Sequence, residues 1–122
     1  MAGENYLKVT EERKIEEVLK DLVLIFGNID RYRIMCILDD KKLDLGELAA
    51  RSGKERAEIS YHLRKLQDGG FVGQEYEILE KPADGKSGKV HTVFGKTDRA
   101  NNVMPFIQLV VNDMVKRYPT NT

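Results

Sequence analysis

Residues 44–72 read DLGELAARSGKERAEISYHLRKLQDGGFV, and this stretch decides the fold that the chain is expected to adopt. Ala49 is small enough to face a close crossing of two helices, and Gly53 can take a positive φ at a sharp turn without steric cost. Ile59 can anchor a second, basic helix, which a double glycine ends just before a strand. The order of these features predicts a helix-turn-helix followed by a β-strand.

The two helices of this motif have recognisable ends. Asp44 and Glu47 have the spacing of a capping box, so the first helix is predicted over residues 45–51. The second helix is predicted over residues 55–67, up to the double glycine. Its inward-facing residues are Ile59, Leu63 and Leu66.

Two more helices are predicted before the motif. An apolar stripe at helical spacing predicts a helix over residues 10–26, with Thr10 as its cap. A second helix is predicted over residues 31–38, with Asp30 as its cap. The stripe of the first helix consists of Ile15, Val18, Leu19, Leu22, Val23 and Phe26.

A β-hairpin and a last helix are predicted after the motif. Alternating residues predict strands over 71–78 and 90–94, joined by the basic, turn-rich loop 81–89. Proline is tolerated only in a first turn, so Pro105 predicts a helix start near residues 102–104. This helix continues to about Tyr118, and apolar residues cover much of its circumference. It therefore needs burial on more than one side, which a single small domain does not supply.

The composition predicts one helical globular domain. The chain has 122 residues, of which 41% are hydrophobic and 33% are charged. No apolar run approaches the roughly 18 residues of a membrane span, and the polar N-terminus lacks a signal-peptide core. We therefore expect a cytoplasmic protein without a membrane partner.

The charge is unevenly distributed although its net value is zero. Residues 51–66 carry five basic and two acidic groups, and residues 81–99 carry the same numbers. Residues 1–30 carry four basic and seven acidic groups. If the two cationic segments meet on one face of the protein, that face would suit contacts with nucleic-acid phosphates. The alternative is that these charges lie on ordinary solvent-exposed helix faces and bind no partner.

The outer face of the motif's second helix carries donors and acceptors that suit base edges and phosphates in a major groove. The predicted DNA-binding residues are Lys54, Arg56, Ser60, Tyr61, His62, Arg64, Lys65, Lys86 and Lys89. We expect Arg56, Ser60 and Tyr61 to lie nearest to base edges, with Arg64 and Lys65 at phosphates. The two loop lysines would reach the adjacent backbone or minor groove as a wing does.

Each of these predictions has a structural alternative. Tyr61 could pack on the hairpin, and His62 could face solvent without any contact. Arg64 could pair with a neighbouring acid. The lysine loop 81–89 could be a solvated hairpin tip.

Residues 48–49, 59–66 and 70–72 read LA, ISYHLRKL and GFV. They resemble the winged-helix core of ArsR-type bacterial and archaeal transcriptional regulators, in which the pattern LA…vSxHLxxLxxxGlV recurs. The resemblance covers about residues 29–97. It implies an α+β, mainly helical fold in which residues 1–122 form one domain: a winged helix-turn-helix with a β-hairpin wing.

The resemblance also implies a homodimer formed by the terminal helices, residues 10–27 and 101–118. Its two recognition helices would enter successive major grooves of a palindromic double-stranded site, and Ser60 and His62 match family positions that contact DNA. The dimer-interface residues expected on this basis are Ile15, Leu19, Leu22, Phe26, Phe106, Ile107, Val110 and Met114.

No metal site or cofactor is predicted. Metal-sensing members of the family carry a cysteine pair near the first helix of the motif, but DLGELAARSG has none. Other members use Asp and His on the last helix, which here has Asp113 and no histidine. The single cysteine, Cys36, lies among apolar residues and is interpreted as a buried structural thiol, with a redox sensor as the alternative.

These features favour a homodimeric, sequence-specific DNA-binding regulator, most simply a repressor. The alternative is a winged helix that contacts proteins in a transcription or other complex, which would suit the zero net charge. Enzymatic activity is not expected, because no nucleophile–base pair or phosphate loop is visible. A small-molecule effector could bind between the terminal helices, but no residue identifies one.

Overall fold

The computed structural model describes residues 9–78 and 90–118. The basic loop 81–89, with Lys86 and Lys89, therefore lies outside the described residues. The described part confirms the predicted mainly helical winged helix-turn-helix. Its elements are α1 (Val9–Phe26), α2 (Ile29–Ile37), α3 (Leu45–Ser52), α4 (Arg56–Asp68), β1 (Val72–Ile78), β2 (Val90–Lys96) and α5 (Asp98–Arg117).

The starts of α1 and α2 correct two predicted caps. Helix α1 begins at Val9, so the predicted cap position, residue 10, lies inside the helix. Asn28 caps α2, because its Oδ1 accepts hydrogen bonds from the backbone N–H groups of Asp30 at 2.9 Å and Arg31 at 3.1 Å. Asp30 lies in the first turn instead, where its Oδ1 accepts from Arg33 at 3.0 Å. The extended residue Asn28, two positions before the predicted cap, thus satisfies the free N–H groups.

The capping box of α3 is confirmed. Asp44 Oδ1 accepts from the backbone N–H of Glu47 at 2.8 Å, and Glu47 Oε1 accepts from that of Asp44 at 3.2 Å. At the other end, Gly53 has a φ of 69° and ends the helix in the left-handed region. These two local signals fix the turn that presents α4.

Gly53→Ala is expected to lower the free energy of unfolding by about 1 kcal/mol. A Cβ at this position would meet no atom within 4 Å, so the cost comes from the positive φ alone. Gly53→Asn should cost less, since asparagine tolerates this conformation better. Urea denaturation at fixed protomer concentration measures both changes, and an alanine variant as stable as the wild type would contradict the prediction.

The hairpin is antiparallel, with Val72 opposite Lys96 and Ile78 opposite Val90. Leu43, in the α2–α3 connection, adds an isolated bridge to Phe94 through backbone hydrogen bonds of 3.0 and 2.8 Å. Strand β2 is two residues longer than predicted. The bridge ties the start of the helix-turn-helix to the base of the wing.

Helix α5 begins at Asp98, so the predicted start near residues 102–104 is wrong. Thr97 caps it by accepting a hydrogen bond from the Ala100 N–H at 3.2 Å. Pro105 lies inside the helix, where the carbonyl that loses its donor belongs to the exposed Asn101 and can face water. A well-capped first turn therefore outweighs the cost of an internal proline.

The core lies between the C-terminal end of α1, helices α2, α3 and α4, the base of the hairpin and the first half of α5. Helix α5 is also tied to the end of α4 and to α1, because Arg99 donates to the Gly69 carbonyl at 2.8 Å and pairs with Asp21. No helix in residues 9–78 or 90–118 is long and apolar enough to cross a membrane. The main buried residues are Ile25, Ile34, Met35, Leu38, Leu48, Ile59, Leu63, Leu66, Phe71, Met104 and Ile107.

Candidate nucleic-acid interface

The outer face of α4 is exposed and cationic. Arg56, Arg64 and Lys65 all lie on it, while Ser60 is half-buried at its edge. Within the described residues, no carboxylate oxygen lies within 4.0 Å of these three basic groups, so the expected alternative of an ion pair for Arg64 is not observed there. Their charges are available to an external anion.

Tyr61 is the exposed aromatic residue of this face, with 54% of its surface accessible. The Lys65 Nζ lies 5.6 Å from its ring centroid, and the Arg31 Cζ from α2 lies 5.9 Å away. Both separations are within the range of cation–π attraction. The phenol thus stands at the surface with cations from two helices beside its ring.

Arg56 lies over the first turn of α3. A Cβ built on Gly46 would come within 2.9 Å of the Arg56 Nη2, so the missing side chain of Gly46 makes room for the guanidinium. The sequence offered no signal for this contact beyond a glycine at an unremarkable helix position. Lys54 is more constrained, because its Nζ lies 3.9 Å from Asp30 Oδ1 and 4.0 Å from Glu58 Oε2.

His62 corrects the predicted exposed set. Its side chain is buried, with 5% of its surface accessible, so neither the exposed placement nor the alternative of a contact-free histidine is right. Its Nδ1 accepts a hydrogen bond from Arg31 Nε at 3.3 Å, and its Nε2 lies 3.8 Å from Asp30 Oδ2. The sequence does indicate this burial, because residue 62 falls on the apolar stripe of α4, three residues after Ile59 and four before Leu66.

The structure also brings together a group of possible metal ligands that the sequence did not reveal. Ligand atoms of Asp30, Glu58 and His62 lie within 4.8 Å of one another. The permanently charged guanidinium of Arg31 donates to Nδ1, so the neutral imidazole carries its proton on Nε2, the atom that faces Asp30. That nitrogen has no free lone pair, and the Lys54 ammonium already lies between the carboxylates. The two carboxylates are better described as partners of Arg33 and Lys54 than as metal ligands.

A second candidate surface is the apolar face of α1 and α5. A cleft of about 290 Å³ opens between the two helices and has an entirely apolar lining. Ile107 does not belong to the exposed part of this face, because only 3% of its surface is accessible and it packs in the protomer's own core. Leu22 is half-buried. The exposed members of the predicted dimer set are Ile15, Leu19, Phe26, Phe106, Val110 and Met114.

Cys36 is half-buried rather than buried as expected. Its Sγ accepts a hydrogen bond from Gln108 of α5 at 3.7 Å. Burial and the neighbouring Cys36 thiol raise the pKa of the Tyr32 phenol. The Cys36 side chain is thus packed between α2 and α5.

Polar contacts along its strands hold the wing. Lys42 pairs with Glu75 at 2.6 Å, and this hydrogen bond raises the pKa of the Lys42 ammonium. His91 Nε2 lies 3.2 Å from Glu77 Oε2 on the opposite strand, and its Nδ1 lies 3.8 Å from Asp44 at the start of α3. The hairpin is therefore oriented relative to the helix-turn-helix that it flanks.

Comparison with known structures agrees with this geometry. The chain is similar to the homodimeric winged helix-turn-helix DNA-binding domain of a possible ArsR-family transcriptional regulator from Mycobacterium bovis. That alignment covers 97% of this chain and 99% of that one, with 14% identity and a TM-score of 0.68. NolR from Sinorhizobium fredii has 17% identity and a TM-score of 0.64, over 87% of this chain and 95% of that one.

HlyU from Vibrio cholerae has 24% identity and a TM-score of 0.55, over 84% of this chain and 97% of that one. No curated protein sequence matches the chain. Residues 29–73 match the model of the bacterial regulatory protein family arsR. These residues run from α2 to the start of β1, and therefore include the whole helix-turn-helix. The resemblance expected from the sequence is thus confirmed over residues 29–73, and the described residues have the winged helix-turn-helix fold of these solved structures.

Proposed function

We propose that the protein is a homodimeric transcriptional regulator that binds double-stranded DNA at specific sequences. The observation that carries this proposal is the exposed face of α4, where Arg56, Arg64 and Lys65 have no carboxylate partner among the described residues. A helix with such a face fits a major groove and offers its cations to phosphates and base edges. Tyr61 adds an aromatic group at the centre of that face.

The homodimer is supported by the apolar face of α1 and α5. A protein that exposes this many large apolar residues on adjacent helices has an interaction site there. The similar domain from Mycobacterium bovis is described as homodimeric. A two-fold dimer would place two α4 helices about one helical turn of DNA apart, which predicts a palindromic operator.

Repression by occlusion of a promoter is the simplest action of such a dimer. The wing lysines Lys86 and Lys89 would then contact the DNA backbone beside each half-site. The exposed charges of α4 set the strength of this binding and its dependence on salt. A winged helix that bound only proteins would need an apolar outer face on α4, whereas Arg56 and Lys65 make this face cationic.

Arg56→Ala and Tyr61→Ala are each expected to weaken binding to the selected operator by about 10- to 100-fold, the usual effect of losing one good base contact. Binding to random duplex should fall by less than threefold or so, because phosphate contacts carry it. Operators are first selected from genomic fragments. Fluorescence anisotropy then gives both affinities at several salt concentrations.

Two controls separate base contacts from charge. Arg117→Ala removes the same charge from α5, where Arg117 pairs with Asp113, and should leave both affinities nearly unchanged. Lys89→Ala should weaken operator and random DNA alike. If Arg56→Ala lowered the affinity for operator and random DNA equally, the base contacts would lie elsewhere. A wild-type chain that binds no DNA at low salt would favour the protein-contact alternative.

A further inference from the structure

Arg31, in the first turn of α2, contacts three different parts of the protein. Its Nη1 donates a hydrogen bond to the carbonyl of Leu24 in α1 at 3.3 Å. Its Nε donates to Nδ1 of His62 in α4 at 3.3 Å, and its guanidinium carbon lies 5.9 Å from the ring centroid of Tyr61. One side chain therefore joins α1 to both the inner and the outer side of α4.

The two aromatic residues contact each other as well. The rings of Tyr61 and His62 have centroids 5.4 Å apart and an interplanar angle of 68°, which is an edge-to-face arrangement. The buried His62 ring is held on one edge by Arg31 and faces Asp30 on the other. Any rotation of this ring changes the surface against which the exposed Tyr61 ring rests.

We infer that Arg31 is a positioning residue for DNA recognition. It fixes the ring of His62, supports the exposed Tyr61 and links the orientation of α4 to α1, one of the two helices with an exposed apolar face. This inference rests on the proposed function, because it concerns how the same surface is held in its binding geometry. Arg31 acts through His62 and Tyr61 rather than through a DNA contact of its own.

The planar guanidinium suits this task. It presents several N–H groups in fixed directions, so one side chain can donate to Leu24 and His62 together while its central carbon lies 5.9 Å from the Tyr61 ring centroid. A lysine ammonium has no such fixed fork and no flat face. Arg31→Lys is therefore expected to retain the charge but not the positioning.

The chain offers a matched control on the same helix. Arg33 is an exposed arginine of α2 that pairs with Asp30 at 3.0 Å. Arg31→Met and Arg33→Met remove the same charge from positions two residues apart, and both keep a long apolar side chain. A difference between them reports the contacts of Arg31 and not the loss of a cation.

The test measures operator and random-DNA affinity of the full chain by fluorescence anisotropy, for the wild type, Arg31→Met, Arg31→Lys and Arg33→Met. We expect Arg31→Met and Arg31→Lys to lower the ratio of operator to random-DNA affinity about tenfold, the effect of one displaced base contact. Arg33→Met should leave the ratio within about twofold. In a Tyr61→Ala background, Arg31→Met should lower the ratio little further, because both changes remove the same contact.

Two further measurements complete the test. Thermal unfolding shows whether each variant is folded, and the ¹⁵N chemical shifts of the His62 imidazole report the state of its ring nitrogens. A positioning role predicts folded Arg31 variants in which His62 Nδ1 shifts because it loses its donor. In Arg33→Met this nitrogen should not shift, because Arg33 contacts only Asp30, on the other edge of the ring. The inference would be overturned if Arg31→Met and Arg33→Met had equal ratios of operator to random-DNA affinity, or if the effects of Arg31→Met and Tyr61→Ala on this ratio were additive. In either case, sequence-specific binding by the wild type would still support the proposed function. A wild-type chain without sequence-specific binding would overturn both.

Discussion

Phe106→Glu is expected to give a folded monomer whose affinity for the operator is lower by about 100-fold or more. Phe106 lies on the apolar face of α5 with 71% of its surface accessible, so the protomer's own core does not depend on it. In a dimer, however, the new carboxylate would be buried without a partner, which costs several kcal/mol. A monomer contacts one half-site and loses the gain from binding two linked sites.

Sedimentation equilibrium measures the oligomeric state, and anisotropy measures operator affinity. Asn112→Glu is the control, since it adds the same charge at an exposed polar position of α5. It should remain dimeric and bind the operator normally. A dimeric Phe106→Glu variant would show that the exposed apolar face is not the interface, and a monomer with unchanged affinity would mean that recognition does not require two copies.

The parts of the fold that depend on neighbouring residues could be predicted from the sequence. The capping box of Asp44 and Glu47 and the left-handed Gly53 involve groups within a few positions of each other, and both are confirmed. The predicted start of α5 is wrong for a local reason as well. The cap that Thr97 supplies favours a start at Asp98, and this outweighs the cost of Pro105 inside the helix.

The sequence predicted the wrong surroundings for side chains whose residue type and position on the helix point in different directions. His62 is polar, but it falls on the apolar stripe of α4, and the structure buries it because Arg31 and Asp30 satisfy its ring. Ile107 was expected at the dimer interface because α5 is apolar around much of its circumference. Which side of that helix packs on the core depends on its crossing with the other helices, and periodicity alone does not determine it.

The contacts that support Tyr61 could not be predicted from one sequence. Arg31 and His62 are 31 positions apart, and only the packing of α2 against α4 brings them together. Gly46 and Arg56 meet for the same reason across the turn of the motif. The sequence therefore predicts which helix contacts DNA, but the residues that hold this helix in place emerge only from the tertiary structure.

Phe71→Ala is expected to lower the free energy of unfolding by about 3–5 kcal/mol, the usual cost of deleting a buried phenyl ring. Phe71 is 1% exposed and is among the largest fully buried side chains. Its backbone joins the end of α4 to the start of α5, since its N–H donates to the Leu66 carbonyl at 2.9 Å and its carbonyl accepts from the Thr97 N–H at 3.2 Å. The Arg99 guanidinium carbon lies 5.0 Å from the ring centroid.

Such a loss is a large share of the roughly 5–15 kcal/mol that stabilises a domain, so the urea concentration at the unfolding midpoint should fall markedly. Phe71→Leu keeps most of the volume and should cost only about 1–2 kcal/mol. Tyr76→Ala removes an aromatic side chain that is 71% exposed on β1, and should change stability by less than about 0.5 kcal/mol. Urea denaturation must be compared at one protomer concentration, because dimerisation contributes to the apparent stability. A Phe71→Ala variant as stable as Tyr76→Ala would mean that the ring does not support the junction of α4, β1 and α5 as its burial indicates.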